Sequence, residues 1–286
     1  MSETLQKRSN KRKKRLIAVL LAVTLFLCLV FGVLELGVWY TKTQWEHWYP
    51  SYAKENIEPL LEKSELTGED YRTIYEQTGL TKRGVDDLLA EGKGDRILQI
   101  QEGFFVRPIM TADHFSAFTY IEETDFYMPM TALKTGDILV SASTRVSWFR
   151  YGHAALVVDG ESELILEAIC PGTKSRYGGA NSFSYFVNFL VLRPKFDEQT
   201  KAEIARYARQ NMVGLPYGLT TGIFSKKEQE TLTRTQCAHL VWYAYKKFGI
   251  DLDSNGGLIV KPQDMALSPH VEVVQSYGFN LDTLWA

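Results

Sequence analysis

The sequence predicts an α+β protein in which an antiparallel sheet with flanking helices follows a transmembrane helix and a small helical region. Three observations support this class: an uncharged apolar run near the N-terminus, short amphipathic segments in residues 41–130, and apolar runs bounded by turn residues after residue 130. Of the 286 residues, 45% are hydrophobic and 23% are charged. This composition excludes a disordered or multi-span membrane protein.

Residues 1–15 form a basic tail with seven basic side chains and one acid, a local net charge of +6. The rest of the chain has a net charge of −8. Because an acidic body lacks the basic surface that binds phosphates, we expect no nucleic-acid partner.

Residues 16–38 are predicted to form a single transmembrane helix. The run from Leu16 to Leu34 has 19 residues without a charge, which is about enough to cross a hydrocarbon core of roughly 30 Å. The basic tail would stay in the cytoplasm, so everything after about residue 40 is predicted to lie outside it. A cleaved signal peptide fits less well, because the run exceeds the ~7–15 residues of a signal core and no clear small-x-small site follows.

Residues 41–130 are predicted to be a helical stalk or accessory region without catalytic residues. Thr67 is placed to cap one helix, which Gly79 ends. Other helices are predicted at residues 55–63, 82–90 and 95–105.

Residues 131–286 are predicted to form the catalytic domain. The dipeptide Asp159-Gly160 favours a hairpin between two of its strands. Strands are predicted at residues 136–140, 153–158, 164–169 and 186–192, and helices at residues 197–212 and 236–248. Asp197 would cap the first helix, and Thr233 or Thr235 lies near the start of the second.

Two of the three cysteines, Cys170 and Cys237, lie outside the predicted span, whereas Cys28 lies within it. The two outer cysteines either pair with each other or include a working thiol. Cys237 begins a predicted helix, where the dipole and the unpaired N–H groups favour a thiolate and can stabilise an oxyanion. A buried structural thiol is the alternative interpretation.

His153 and Glu167 are predicted to be neighbours in the hairpin. With a turn centred on residues 159–162, residue 153 pairs near residue 168, which brings Glu167 beside His153 to within one residue. A carboxylate in an apolar strand needs a partner, and a carboxylate that orients an imidazole beside a thiol is a common catalytic arrangement. A register slip of one residue would instead turn Glu167 towards solvent.

The segments GDILV, YGHAALVVDG and LILEA resemble part of the NlpC/P60 cell-wall hydrolases, and GLPYG followed by TQCAHLVWYAY resembles their cysteine segment. The histidine strand precedes the cysteine helix by 84 residues, the reverse of the usual order. This order is similar to the circularly permuted, YiiX/YebB-like branch of the papain-like fold, which is related to lecithin retinol acyltransferases. The resemblance covers about residues 131–275, roughly half of the chain.

The resemblance implies that Cys237 is the nucleophile, His153 the general base and later acid, and Glu167 the group that orients His153. Tyr217 matches the tyrosine of the family's proline–tyrosine motif and would line the cleft. Trp148 and Tyr151 would wall a hydrophobic groove. The chain departs from the family pattern after the cysteine, where Ala238 and His239 follow, and His239 is expected to be structural.

His270 is the rival base, because an unpermuted enzyme uses a histidine that follows its cysteine. We prefer His153, since His270 lacks a preceding strand of the Gly-Asp type and follows Pro269. The histidines are scattered, without HExxH or CxxC spacing, and no glycine-rich phosphate loop occurs, so neither a metal nor another cofactor is expected.

The leading hypothesis is a membrane-anchored cysteine hydrolase that cleaves an amide or ester through an acyl-thioester on Cys237, with peptidoglycan peptide as a natural substrate. The permuted branch also implies acyl-lipid amides or esters as substrates, or acyl transfer. A non-catalytic scaffold of the cell envelope is the alternative of another class. The oligomeric state is left open.

Overall fold

The computed structural model describes residues 2–43, 47–112, 119–121, 127–146 and 149–280. The chain separates into two compact units, Met1–Trp45 with Ser147–Phe149, and Glu46–Val146 with Arg150–Ala286. Trp148, which the sequence analysis assigned to the cleft, lies outside the described residues.

The first unit is dominated by one long helix, α1 (Ser2–Thr43). Its segment Lys11–Gly37 has 27 residues and is long and apolar enough to cross a membrane. The side chains described along this segment are mostly exposed, which is the pattern expected of a helix whose apolar surface is covered by something other than its own chain. The predicted apolar helix is therefore confirmed.

The second unit is built on a six-stranded sheet in which every neighbouring pair is antiparallel. The strand order is β10-β9-β3-β6-β7-β8. The strands described are β1 (Met110–Ala112), β2 (Thr119–Ile121), β3 (Ile138–Ser141), β4 (Arg145–Val146), β5 (Phe149–Arg150), β6 (His153–Asp159), β7 (Leu164–Glu167), β8 (Arg176–Gly179), β9 (Phe189–Pro194) and β10 (Val271–Tyr277). The α+β class with an antiparallel sheet is thus confirmed.

The helices described in the second unit are α2 (Glu58–Leu61), α3 (Gly68–Thr78), α4 (Lys82–Ala90), α5 (Gly94–Phe104), α6 (Glu198–Asn211), α7 (Cys237–Lys246) and α8 (Pro262–Ala266), with a 3-10 helix at Ala180–Tyr185. Two of them, α3 and α6, begin at the predicted capping residues. Thr67 forms a capping box with Asp70, Gly79 ends α3 with a φ of 71°, and Asp197 caps α6. Helix α7 lies within the predicted range of residues 236–248, and the side chain of Gln236 caps it.

Helices cover both faces of the sheet, as the alternation along β6 shows. Ala154, Leu156 and Val158 belong to a core with α6 and α7, whereas Ala155 and Val157 belong to a second core with α3, α4 and α5. Burial on both faces explains why the strand is apolar almost throughout. The helices of residues 58–104 therefore share a core with the sheet.

A buried ion pair joins these layers. The Arg193 side chain on β9 donates to both carboxylate oxygens of Asp137, with Nε–Oδ1 2.9 Å and Nη2–Oδ2 2.6 Å, and it also binds Asp87 on α4. Arg193 and Asp137 are almost completely buried, so each charge depends on the other for compensation. Asp137, the aspartate of the GDILV segment, therefore stabilises the contact between the sheet and α4 through Arg193.

Candidate active site

The β6–β7 hairpin contains a bulge that decides where Glu167 points. Near the turn Asp159 pairs with Leu164, but after a register shift at Val158 the pairs become Val157 with Ile165 and Ala155 with Glu167. Without that shift Glu167 would face Leu156, on the opposite side of the sheet from His153. With it, Glu167 and Ala155 share a face with His153, two residues before Ala155.

The structure brings His153 and Glu167 into direct contact, with 2.8 Å between Nε2 and Oε2. Both side chains are buried. The imidazole also stacks on Phe183, with ring centroids 5.5 Å apart, and meets the edge of Phe186. The two phenylalanines exclude water from the ion pair, which strengthens its electrostatic interaction.

The imidazole of His153 interacts with Cys237 as well, and this interaction affects its pKa. Burial by itself lowers the pKa of a histidine, but hydrogen bonds with the Cys237 thiol and the Glu167 carboxylate outweigh burial and raise it to about 9. The imidazole therefore stands between the thiol and the carboxylate and is held in its protonated form at neutral pH.

Cys237 is the first residue of α7 and only 1% exposed. Its Sγ lies 3.4 Å from Gln236 Oε1 and 4.0 Å from the carbonyl oxygen of Gly152. The sulfur thus sits at the positive end of the helix dipole and next to the residue that precedes His153. The histidine strand and the cysteine helix meet at this end of the sheet.

Gln236 is a site residue that the sequence analysis missed. Its Oε1 accepts from the Ala238 N–H at 3.3 Å, and its Nε2 donates to the Val260 carbonyl at 2.8 Å. One amide therefore caps α7, contacts the sulfur and ties both to the loop before α8. Its position directly before a helix-start cysteine was the only signal for this role.

Gly152 is required by the backbone at this point. Its φ is +76°, and a Cβ would lie 2.8 Å from the Ser141 carbonyl oxygen and 3.0 Å from Pro262 Cγ. A side chain would therefore displace the segment that contacts Cys237 and leads into His153.

Tyr217 hydrogen-bonds Cys237, and Tyr151 interacts with it electrostatically. Burial raises the pKa of Tyr151 to about 12, with contributions from Cys237 and Cys170, and it raises that of Tyr217 well above the usual range, with contributions that include a hydrogen bond to Cys237. Both phenols stay protonated at neutral pH, so each can donate a hydrogen bond. Cys170, like Cys237, is a free thiol.

Two backbone segments hold Tyr217 in place. Its N–H donates to the Thr173 carbonyl at 3.0 Å, and the following Gly218 N–H donates to the Thr235 carbonyl at 2.7 Å. The segment that carries Tyr217 therefore bridges the loop after Cys170 and the strand-like residues that enter α7.

His270 lies far from this cluster. It precedes Val271, which pairs with Pro194, whereas His153 pairs with Ser141 at the other end of the sheet. At 3.3–3.4 Å per residue, the offset along the strands is roughly 20 Å. The exposed His270 ring packs on Phe196 instead.

His239 has the structural environment expected of it. Its Nε2 donates to the Lys227 carbonyl at 2.8 Å, and its Nδ1 lies 3.0 Å from Thr235 Oγ1. Burial lowers its pKa to about 4, so the ring is neutral. It pins the loop before α7 to the helix.

No group of three or more His, Cys, Asp or Glu side chains in the described part of the chain is arranged to hold a metal ion. Neither the protein-family models nor the curated proteins match this chain. The fold and the site define an α+β protein with an N-terminal apolar helix and a buried Cys–His–Glu cluster.

Proposed function

We propose that the protein is a membrane-anchored cysteine hydrolase of the permuted papain-like, NlpC/P60 type, with its body on the outer side of the cell membrane. The observation that carries this proposal is the position of His153, which is hydrogen-bonded to Glu167 and interacts with the thiol at the start of α7. A nucleophile, a base that can activate it and a carboxylate that orients the base form the arrangement used for acyl transfer through a covalent intermediate.

In the proposed reaction Cys237 is the nucleophile and His153 transfers the protons. Because Nε2 of His153 is bound by Glu167, proton exchange with Cys237 falls to Nδ1. The sulfur attacks the carbonyl carbon, the imidazolium gives its proton to the leaving amine or alcohol, and the bond to that group breaks to leave an acyl-thioester. Water then attacks the thioester, His153 takes its proton, and a carboxylic acid is released as the thiol is restored.

Tyr217 can stabilise the negative charge that develops on the substrate oxygen. Its hydroxyl remains protonated and lies near Cys237, so it can donate to the oxyanion that forms on attack. The first turn of α7 adds the positive end of its dipole.

The first substrate class proposed is the amide of a cell-wall peptide, because an enzyme anchored on the outer side of the cell membrane would face the cell wall. Acyl-lipid amides or esters are the second, because the segment that follows Tyr217 exposes apolar side chains, among them Leu219 and Phe224. Either bond fits the same thioester route.

The test uses the full chain in detergent with muropeptides and, separately, with acyl-lipid amides and esters. We expect turnover of one class, its loss in Cys237→Ala, and its retention in the matched control Cys170→Ala. No Cys237-dependent turnover of either class would favour a non-catalytic envelope scaffold.

A further inference from the structure

Two neighbouring loops expose a group of large apolar side chains, defined here as the apolar tip. Their exposed fractions are 86% for Phe224, 72% for Leu258, 66% for Leu219 and 49% for Ile223. Single exposed apolar residues are ordinary on protein surfaces, but a contiguous group marks a surface that contacts another apolar phase.

The two loops are held together by their backbones. Gly222 has a φ of +94°, and a Cβ at this position would overlap the carbonyl oxygen of Leu258. The Thr220 carbonyl accepts from the N–H groups of Ile223 at 2.9 Å and Phe224 at 3.1 Å, which makes a tight turn. The side chains at the turn are thus presented outward next to Leu258.

The side chain of Lys227 links the same two loops. The Lys227 ammonium group forms an ion pair with Asp253, donates to the Gly257 carbonyl at 2.7 Å and lies 5.1 Å from the centre of the Trp242 ring. Its backbone carbonyl is bound by His239 of α7. The apolar tip is therefore a preformed surface, and binding through it costs little ordering entropy.

The charges beside the apolar tip do not select its partner. Lys226 is exposed, but Lys227 is paired with Asp253, and the exposed Glu228 and Glu230 follow directly. The apolar phase that contacts the tip is therefore identified by chain connectivity rather than by charge.

Because the body is joined to α1 by a short linker, a bilayer is the apolar phase available to the apolar tip. Helix α1 ends at Thr43, and residues 44–46 separate it from His47, the first residue described in the folded body. At no more than about 3.6 Å per residue, that linker is short, so a bilayer entered by α1 stays within reach of the body.

We propose that the apolar tip inserts into the interfacial layer of the bilayer that holds α1. Leu219 is two residues from Tyr217, so this contact brings the segment that carries Tyr217 close to the membrane surface. The inference rests on the proposed membrane anchor but does not depend on the Cys237 chemistry.

The test uses the full chain reconstituted into vesicles of phosphatidylethanolamine and phosphatidylglycerol with a trace of phospholipid that carries a photoreactive acyl chain. After irradiation, lipid adducts are mapped to peptides by mass spectrometry. We expect adducts on α1, which serve as the internal positive control, and on the peptides that contain residues 219–224 and Leu258. In the double variant Ile223→Ser/Phe224→Ser, the adduct yield at Leu258 should fall at least fivefold while that on α1 stays constant.

Leu267→Ser is the matched control, because Leu267 is also exposed but lies before β10, outside the apolar tip. It should leave the yield at Leu258 unchanged, and thermal unfolding should show that all variants fold. Adducts on α1 alone, or equal labelling over the whole body, would each overturn the proposal. Absence of adducts on α1 would overturn the membrane anchor itself.

Discussion

His153 Nε2 lies 2.8 Å from Glu167 Oε2, although the residue that pairs with Glu167 across the sheet is Ala155. The contact is diagonal, between side chains two residues apart on one face. It exists because the bulge at Val158 shifts the register by one residue. A local irregularity of the hairpin thus determines whether the imidazole has a carboxylate partner.

Replacing Glu167 by Gln should weaken the candidate site without a large change in shape. The amide can still accept a hydrogen bond from His153, but it removes the negative charge that favours the imidazolium. We expect alkylation of Cys237 by iodoacetamide at pH 7 to slow about tenfold, equivalent to about 1.4 kcal/mol. The control is Glu161→Gln in the exposed turn of the same hairpin, and equal rates in both variants would contradict the role given to Glu167.

The relative reactivity of the two outer cysteines is a second prediction. Cys237 is 1% exposed and Cys170 is partly exposed, so accessibility alone favours modification of Cys170. If His153 activates the Cys237 thiol, Cys237 should nevertheless react first, by at least tenfold with a small alkylating reagent, because only the thiolate is the nucleophile.

The measurement is peptide mapping of the full chain after brief labelling. His153→Ala should remove the preference for Cys237, whereas His270→Ala should preserve it because His270 lies at the far end of the sheet. Faster labelling of Cys170 in the unmodified protein would argue that Cys237 is a structural thiol.

The sequence predicts that His153 and Glu167 lie close together, but it does not predict the exact register of the two strands that carry them. The turn at Asp159-Gly160 limits the pairing of the flanking strands to within a residue, which is enough to bring the two side chains close. A bulge depends on packing against both layers of helices, and no local signal marks Val158 as the extra residue.

The predicted capping of α3 and α6 followed from local chemistry, since Thr67 and Asp197 bond N–H groups within their own first turn. Gln236 was missed because glutamine is an uncommon cap, and its second bond reaches Val260, 24 residues away. Likewise, the amphipathic helices of residues 58–104 indicate that one face is covered, but the sequence does not say by what. Contacts of this kind, between residues far apart in the sequence, can be identified only from the folded structure.

The raised pKa of His153 predicts the pH dependence of stability. Because the pKa rises from 6.5 to about 9 on folding, the protonated imidazole stabilises the fold fully below pH 6.5, and this contribution is lost as the pH rises through about 9. At about 1.4 kcal/mol per pH unit, the loss is on the order of 3 kcal/mol. The difference in free energy of unfolding between the unmodified protein and His153→Gln should therefore shrink between pH 6.5 and 10, and a constant difference would refute the shift.

The raised pKa of His153 also predicts that the rate of hydrolysis falls at alkaline pH. The leaving group receives its proton from the His153 imidazolium, so hydrolysis should fall about tenfold per pH unit above about pH 9. An ester with a leaving group that needs no proton should lose less, which gives an internal control. Equal alkaline loss for both substrates would point to unfolding instead.

Gly152 offers a test of the geometry that joins the strand to the helix. Alanine there must adopt a φ of +76° and lie 2.8 Å from the Ser141 carbonyl oxygen, so Gly152→Ala should destabilise the protein by more than the ~1 kcal/mol that such a φ costs alone. It should also slow Cys237 alkylation several-fold, because the displaced carbonyl of residue 152 contacts the sulfur. Gly256→Ala is the matched control, since Gly256 has a φ of +66° and nothing within 4 Å of a built Cβ. Urea unfolding and alkylation rates measured side by side should show the backbone cost in both variants and the loss of thiol reactivity in Gly152→Ala alone; the same reactivity in both variants would separate Gly152 from the candidate site.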